Sequence, residues 1–315
     1  MARRLGAIEA GGTKVSLAVG GGPHDIEARL RLATTTPDET LGQAFDFLRS
    51  AGPLDGVGIA SFGPLDLKPG SATYGHITAT PKPGWAGVDL AGRLAKALGV
   101  TVAIDTDVNG AAWGERRWGA GAGLDDFVYV TIGTGIGGGV VAGGKLVHGL
   151  IHPEIGHVLV PRHEKDGGFA GICPFHGACL EGLASGPALA ARWSLPAEAL
   201  PENHPAWEME AHYLAVLCLN LSFTLSPQRI ILGGGVMARP ALLSLVRRKF
   251  AAMAEGYVPI LALAGGVEGY IVAPMLGQEA GLAGAFALIA ERLEAGQNGQ
   301  DPAPGKPRLG RARRP

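Results

Sequence analysis

The sequence predicts an α/β fold made of two related halves, and three observations point to it. Short apolar strands alternate with amphipathic helices along most of the chain, which is the pattern of α/β domains. The pattern also restarts. LGAIEAGGTKVSLAVG (5–20) and FVYVTIGTGIGGGVVAGGKLVHG (127–149) both run apolar strand, turn of Gly and Thr, apolar strand. Finally, 47% of the 315 residues are hydrophobic and 51 are glycine without a collagen-like period, so a sizeable core is combined with many tight turns. Two α/β domains facing one another imply a ligand cleft between them, because small-molecule sites favour domain interfaces.

The elements follow in order. Residues 5–20 form two strands around a Gly-Gly turn, and EARLRLAT adds a third. TPDETLGQAFDFLRSAG is a helix with Thr36 as N-cap, Pro37 in the first turn and Leu41, Phe45 and Leu48 at helical spacing. LDGVGIASFGP (54–64) is a strand ending in Gly-Pro, and VDLAGRLAKALG (88–99) an amphipathic helix. VTVAIDTD (100–107) is a buried strand opening onto the helix VNGAAWGERRW. After the glycine-rich joint 118–126 come the second hairpin, a cysteine–histidine segment, a long helix at about 206–225, the strand RIILGGG (229–235) and a last helix at 277–295. The expected organisation is a small N-terminal α/β domain, 1–117, completed by the helix 277–295. A larger α/β domain, 118–276, carries the cysteine–histidine segment. Residues 296–315, rich in Pro, Gly and Arg, are expected to be a disordered tail.

Composition excludes several function classes. A net charge of −1 gives no electrostatic footprint for nucleic acid or a membrane surface. No uninterrupted apolar run reaches the length of about 18 residues needed to span a bilayer, and MARRLGAIEAGG lacks the apolar core of a signal peptide. Three cysteines without an export signal make a reducing cytoplasm the expected location.

Five groups of residues carry chemistry. Glu9, Gly11, Gly12, Thr13 and Lys14 in the first hairpin and Gly133, Thr134 and Gly135 in the second form turns whose backbone N–H groups can converge on phosphate oxygens. Either turn alone could merely close a hairpin; two matching turns argue for a shared phosphate ligand. Gly233, Gly234 and Gly235 end a buried strand, where α/β sheets bind ligands. Asp107 stands where a buried strand gives way to a helix, suited either to capping that helix or to accepting a proton in phosphoryl transfer. Asp105, two residues earlier on the expected strand, shares its face and ranks second. HPEIGH offers Glu154 and His157, which suit either a solvated loop or hydrogen bonding to adjacent hydroxyls. GICPFHGACLEG contains C-x2-H-x2-C: Cys173, His176 and Cys179, with His157 sixteen residues upstream as the best fourth donor for a closed, structural Zn²⁺ site. Cys218, on the long helix, is expected to be a core cysteine.

EAGGTK, FGPLDL, DTDVNGAAWGE, GTGIGGG, HPEIGH and GGG, in this order, resemble the ROK family of sugar kinases over about residues 5–290. With TPKPGW (80–85), the chain is most similar to the family's bacterial fructokinase branch. The resemblance implies a pair of actin-like, hexokinase-like (ribonuclease H-like) domains, ATP and catalytic Mg²⁺ as cofactors, and a homodimer. The two hairpin turns would hold the ATP phosphates, and Gly233–Gly235 would lie near the nucleotide. Asp107 would be the general base, and Gly63, Thr106, Glu154, His157 and Glu181 would accompany it around the sugar, with His157 also binding structural zinc. The implied reaction is ATP-dependent phosphorylation of D-fructose to D-fructose 6-phosphate, with domain closure excluding water. Mannose, glucose and N-acetylmannosamine are the alternative acceptors. The family also contains sugar-sensing repressors; a first hairpin beginning at Leu5 leaves no room for their DNA-binding module and disfavours that reading. Three departures from the family pattern stand out. Glu9 replaces a common Asp, His176 a common Cys, and Thr106 the Asn of many glucose-type members.

Overall fold

The computed structural model describes residues 3–255, 257 and 265–297. It contains two five-stranded sheets with the same core plan. The first comprises β1 (Leu5–Ala10), β2 (Lys14–Gly22), β3 (Asp25–Ala33), β4 (Gly56–Ser61) and β5 (Thr101–Thr106), in the order β3-β2-β1-β4-β5. The second comprises β6 (Phe127–Ile132), β7 (Ile136–Ala142), β8 (Lys145–Leu146), β9 (Arg229–Gly233) and β10 (Ile271–Val272), in the order β10-β9-β6-β7-β8. In each sheet the first strand of a hairpin is central, antiparallel to its hairpin partner and parallel to a later strand. The sequence repeat is thus a repeat of topology.

The chain divides into two compact units. One holds the residues through Gly110, the short segment His148–Ile151 and the chain from Gly281; the other holds Ala111–Val147 and His152–Ala280. The division falls inside α3 (Asp107–Trp118) rather than in the glycine-rich joint 118–126. The reason is local. Glu115 on α3 is fully buried, and its carboxylate accepts from Ala120 N at 2.6 Å and from Leu276 N at 2.8 Å, anchoring the joint to the second unit. The final described helix, Ala280–Gln297, takes in two residues of the expected tail, with Gln297 accepting from Arg3 at 2.6 Å; residues 298–315 lie outside those described.

Within the first unit, α1 (Pro37–Ser50) starts at the expected cap, Thr36, whose hydroxyl accepts from Glu39 N at 3.4 Å. It buries Leu41, Ala44 and Leu48 against the sheet with α2 (Ala91–Leu98). TPKPGW contributes a core residue: Trp85 is 1% exposed and donates its indole N–H to Thr35 O at 2.9 Å. The final helix approaches the start of α3 so closely that a Cβ on Gly284 would stand 1.9 Å from Gly110 O, so only glycine fits there.

Within the second unit, α4 (Leu180–Ala184), α5 (Gly186–Trp193), α6 (Ala206–Leu225) and α7 (Pro240–Ala254) pack around the sheet. α6 is apolar on nearly every side, as a helix at the centre of a core should be. Cys218 is buried in it, and burial pushes its thiol up to about 12, so it is an inert core residue.

Glu210 is the exception on α6. It is 1% exposed, its Oε1 has no hydrogen-bond partner among the described residues, and burial raises its carboxyl well above the ordinary 4.5, with attraction to Arg192 opposing. The folded protein therefore holds this proton over a pH range in which the unfolded chain releases it. The associated stability is fully present below 4.5 and is lost as pH rises toward the folded-state value. Glu210→Met should accordingly stabilise the protein at pH 7.5 by about 1–3 kcal/mol. In paired thermal melts this gain should shrink as the pH is lowered toward the ordinary value of 4.5.

Candidate active site

In the first unit, three parallel strands end in one row. Ala10 pairs with Ser61, and Ser61 with Thr106. The segments that leave this row are Gly11–Thr13, Phe62–Gly63 and the start of α3, so Gly63 and Asp107 lie on the same edge as the first glycine turn. That edge is the carboxyl end of the parallel strands, where α/β sheets bind ligands. Glu9, half-buried near the end of β1, points at the first turn of the final helix, where a Cβ on Gly281 would lie 2.5 Å from its Oε1.

The two aspartates of DTD have different surroundings. α3 begins at Asp107, so strand alternation ends at Thr106 and the expectation that Asp105 and Asp107 share a face does not hold. Asp105 is 5% exposed and fully engaged. It accepts from Thr106 N and Asn109 Nδ2, each at 2.7 Å, and its Oδ2 lies 2.9 Å from His148 Nε2. Thr106, 2% exposed, caps the helix by accepting from Asn109 N at 3.2 Å. Its hydroxyl oxygen is therefore engaged with the backbone. Asp107 is not the cap. Its Oδ1 accepts from Val108 N at 2.9 Å, and the residue is partly exposed in the first turn, where the helix dipole favours a carboxylate.

In the second unit the Gly133–Gly135 turn leaves β6 beside Gly233–Gly235 at the end of β9; Thr131 pairs with Gly233. Gly234 has φ +93°, and a Cβ there would stand 2.3 Å from Ile132 O, so the middle glycine of GGG is dictated by the backbone of β6. The two glycine turns share a hydrogen-bond plan. Gly11 N donates to Lys14 O and Gly133 N to Gly135 O, both at 2.9 Å. Gly11 O accepts from the Thr34 hydroxyl at 2.7 Å, and Gly133 O from Gly186 N at 2.8 Å. Among the described residues, the N–H groups of Gly12 and Thr13 and of Thr134 and Gly135 have no partner, which suits them to an anion. Lys14 is exposed at the start of β2.

Beside the second turn lies a cavity of about 730 Å³ lined by Gly133, Thr134, Gly186, Pro187, Ala197, Trp207, Gly235, Val236 and Arg239, among others. Its wall is largely apolar, Glu198 and Glu202 contribute carboxylates, and the Arg239 guanidinium lies 4.3 Å over the Trp207 ring while donating to Leu200 O at 2.7 Å. An apolar slot with phosphate-type donors at one end suits a nucleotide.

Glu154, exposed, precedes the short helical turn Ile155–His157 and pairs with His152 Nδ1 at 3.3 Å. His157, Cys173, His176 and Cys179 form a compact cluster whose donor atoms all lie within 4.8 Å of one another. His157 Nδ1 is 3.5 Å from Cys179 Sγ and 3.7 Å from Cys173 Sγ, and His176 Nδ1 is 3.7 Å from Cys173 Sγ. A tetrahedron with Zn–S near 2.3 Å and Zn–N near 2.0 Å has S···N edges of about 3.5 Å. The donor set and its spacing therefore fit zinc. Burial is the main cause raising the Cys179 thiol, with Cys173 adding and the Gly182 N–H opposing. Glu181, expected among the sugar ligands, has its Oε2 on Ile136 N at 2.9 Å, at the foot of the second glycine turn.

The ROK family profile matches residues 5–292. The chain belongs to the ROK family. Among its relatives, a fructokinase of Zymomonas mobilis is 47% identical over 90% of this chain and 95% of its own. A fructokinase of Lactococcus lactis subsp. cremoris is 43% identical over 85% and 90%. A ROK family glucokinase from Streptomyces griseus, solved in complex with glucose and AMPPNP, superposes with a TM-score of 0.70 at 27% identity, covering 90% of this chain and 98% of its own.

Sequence reasoning misses His148 and Asn109, which hold Asp105, and the cavity residues Pro187, Trp207 and Arg239. His148 carries no motif signal of its own, and the cavity is assembled from segments spread over roughly a hundred residues. The capping geometry separates the DTD residues experimentally. Thr106→Ala should lower stability by about 1 kcal/mol. Asp107→Asn should cost less than half of that, because it keeps the cap, with both read from denaturant unfolding.

Proposed function

We propose that this chain is an ATP- and Mg²⁺-dependent hexose kinase that transfers the γ-phosphoryl group to O6 of D-fructose. The observation that carries the chemistry is Asp107: a partly exposed carboxylate at the carboxyl edge of a parallel sheet, relieved of capping by Thr106. The choice of acceptor rests on the 47% and 43% identity to fructokinases, against 27% to a glucokinase.

Asp107 accepts the proton of the attacking hydroxyl as the O6–Pγ bond forms and the β–γ bridging P–O bond breaks, leaving ADP. The N–H groups of Gly11–Thr13 and Gly133–Gly135 orient the phosphates, Lys14 adds a cation, and Gly233–Gly235 with the apolar cavity hold the nucleoside. Glu9 would supply an oxygen for Mg²⁺ and its waters, and the ion would offset charge on the phosphates. Gly63 lines the acceptor side, where Glu154 and His157 hold sugar hydroxyls. His157 presents Nδ1 to the cysteines, which leaves Nε2 for the sugar. Zn²⁺ would be held by His157, Cys173, His176 and Cys179 and would supply a rigid cross-link of the loop to His157.

ADP release in the presence of ATP, Mg²⁺ and one hexose at a time tests the reaction. Turnover should be highest with fructose, and Asp107→Asn should lower kcat by about 10²–10⁴-fold. Preference for mannose, glucose or N-acetylmannosamine would keep the kinase and change the acceptor. No turnover with any hexose would leave a non-catalytic sugar sensor. The purified protein should carry about one zinc per chain by elemental analysis, and Cys179→Ser should lose the metal and lower the melting temperature.

A further inference from the structure

We propose that Glu181 is a positioning residue for the ATP-binding turn, joining the cysteine–histidine loop to the nucleotide cavity. The inference rests on the kinase reading above and assigns to this carboxylate a donor-side role. Cys179 ends the metal-type loop, and α4 starts one residue later. Within the next seven residues the chain grips the Gly133–Gly135 turn at both ends: Glu181 Oε2 accepts from Ile136 N at 2.9 Å, and Gly186 N donates to Gly133 O at 2.8 Å. The segment is stiff, since Ser185 N donates to Glu181 O at 3.1 Å and Leu180 N to Val158 O at 2.9 Å. Leu180, Gly182, Leu183, Ala184 and Ser185 are all buried.

The turn depends on this grip. Gly133 N is used inside the turn and Gly133 O is taken by Gly186, so Ile136 N–H is the group through which its far end is fixed. Gly135 has been fitted to the carboxylate as well: a Cβ there would stand 2.6 Å from Glu181 Oε2. Among the described residues only Oε2 of Glu181 is engaged, so the other oxygen is left for a ligand hydroxyl. A carboxylate with one oxygen on the donor turn sets where the N–H groups of Thr134 and Gly135 point. Losing it should loosen phosphate binding even when no sugar is present.

Calorimetric titration of Mg·ADP into sugar-free protein tests this. Glu181→Ala should weaken ADP binding about tenfold, whereas Glu181→Gln, whose amide oxygen can still accept from Ile136 N, should stay within about threefold of wild type. Gly135→Ala should also weaken ADP binding, and by much less when added to Glu181→Ala, because the clash it creates is with that carboxylate. Circular dichroism and zinc content establish that each variant is folded. If folded Glu181→Ala binds ADP like wild type, or if the two substitutions are additive, the proposal is overturned. Wild type that binds no ADP would overturn the kinase reading and this proposal together.

Discussion

Asp105 is the constraint on which the first unit's edge depends. A carboxylate that is 5% exposed must have its oxygens satisfied, and Asp105 does this with one backbone N–H, one amide and one imidazole. Each partner belongs to a different piece of chain: Thr106 ends β5, Asn109 sits in the first turn of α3, and His148 belongs to the short segment that returns to this unit. The network closes on itself, since Asn109 Nδ2 also lies 3.4 Å from His148 Nε2. With Asp105 buried and Thr106 capping, Asp107 is the partly exposed carboxylate of DTD. The three adjacent side chains divide the work: Asp105 ties the strand end together, Thr106 caps α3, and Asp107 stays partly exposed.

The second unit rests on a different device, backbone against backbone. Its glycine turn repeats the hydrogen-bond plan of the first, with a flanking group anchoring the carbonyl of the leading glycine: Thr34 in one unit, Gly186 in the other. Among the described residues each turn keeps two internal bonds and two N–H groups without a partner, the donors an anion would need. The metal-type cluster lies a few residues before α4 and α5, the two short helices whose residues hold the second turn. The cysteine–histidine loop is in this way connected, through α4 and α5, to the Gly133–Gly135 turn.

Much of this is legible in the sequence. The hairpins, the helix starting at Thr36 and the long central helix follow from periodicity and capping residues. The four-residue cysteine–histidine cluster follows from the spacing of those residues, because the donors are close in the chain or have few competitors. The surroundings of the carboxylates are not legible. Which of Asp105 and Asp107 is buried depends on where β5 gives way to α3. Glu181 reads as one more acid after the cysteines, yet its oxygen meets a backbone N–H 45 residues away. The nucleotide-type cavity stays hidden because its wall is ordinary Pro, Ala, Val and Trp, indistinguishable in sequence from core.

The most direct test is to identify the product. The chain would be incubated with ATP, Mg²⁺ and ¹³C-labelled fructose, and the product followed by ³¹P and ¹³C NMR, with Asp107→Asn alongside. Phosphate coupled to C6 of fructose, formed by wild type and lost in the variant, is the predicted result. Phosphate on another carbon, or a variant as active as wild type, would contradict Asp107 as the base that directs transfer to O6.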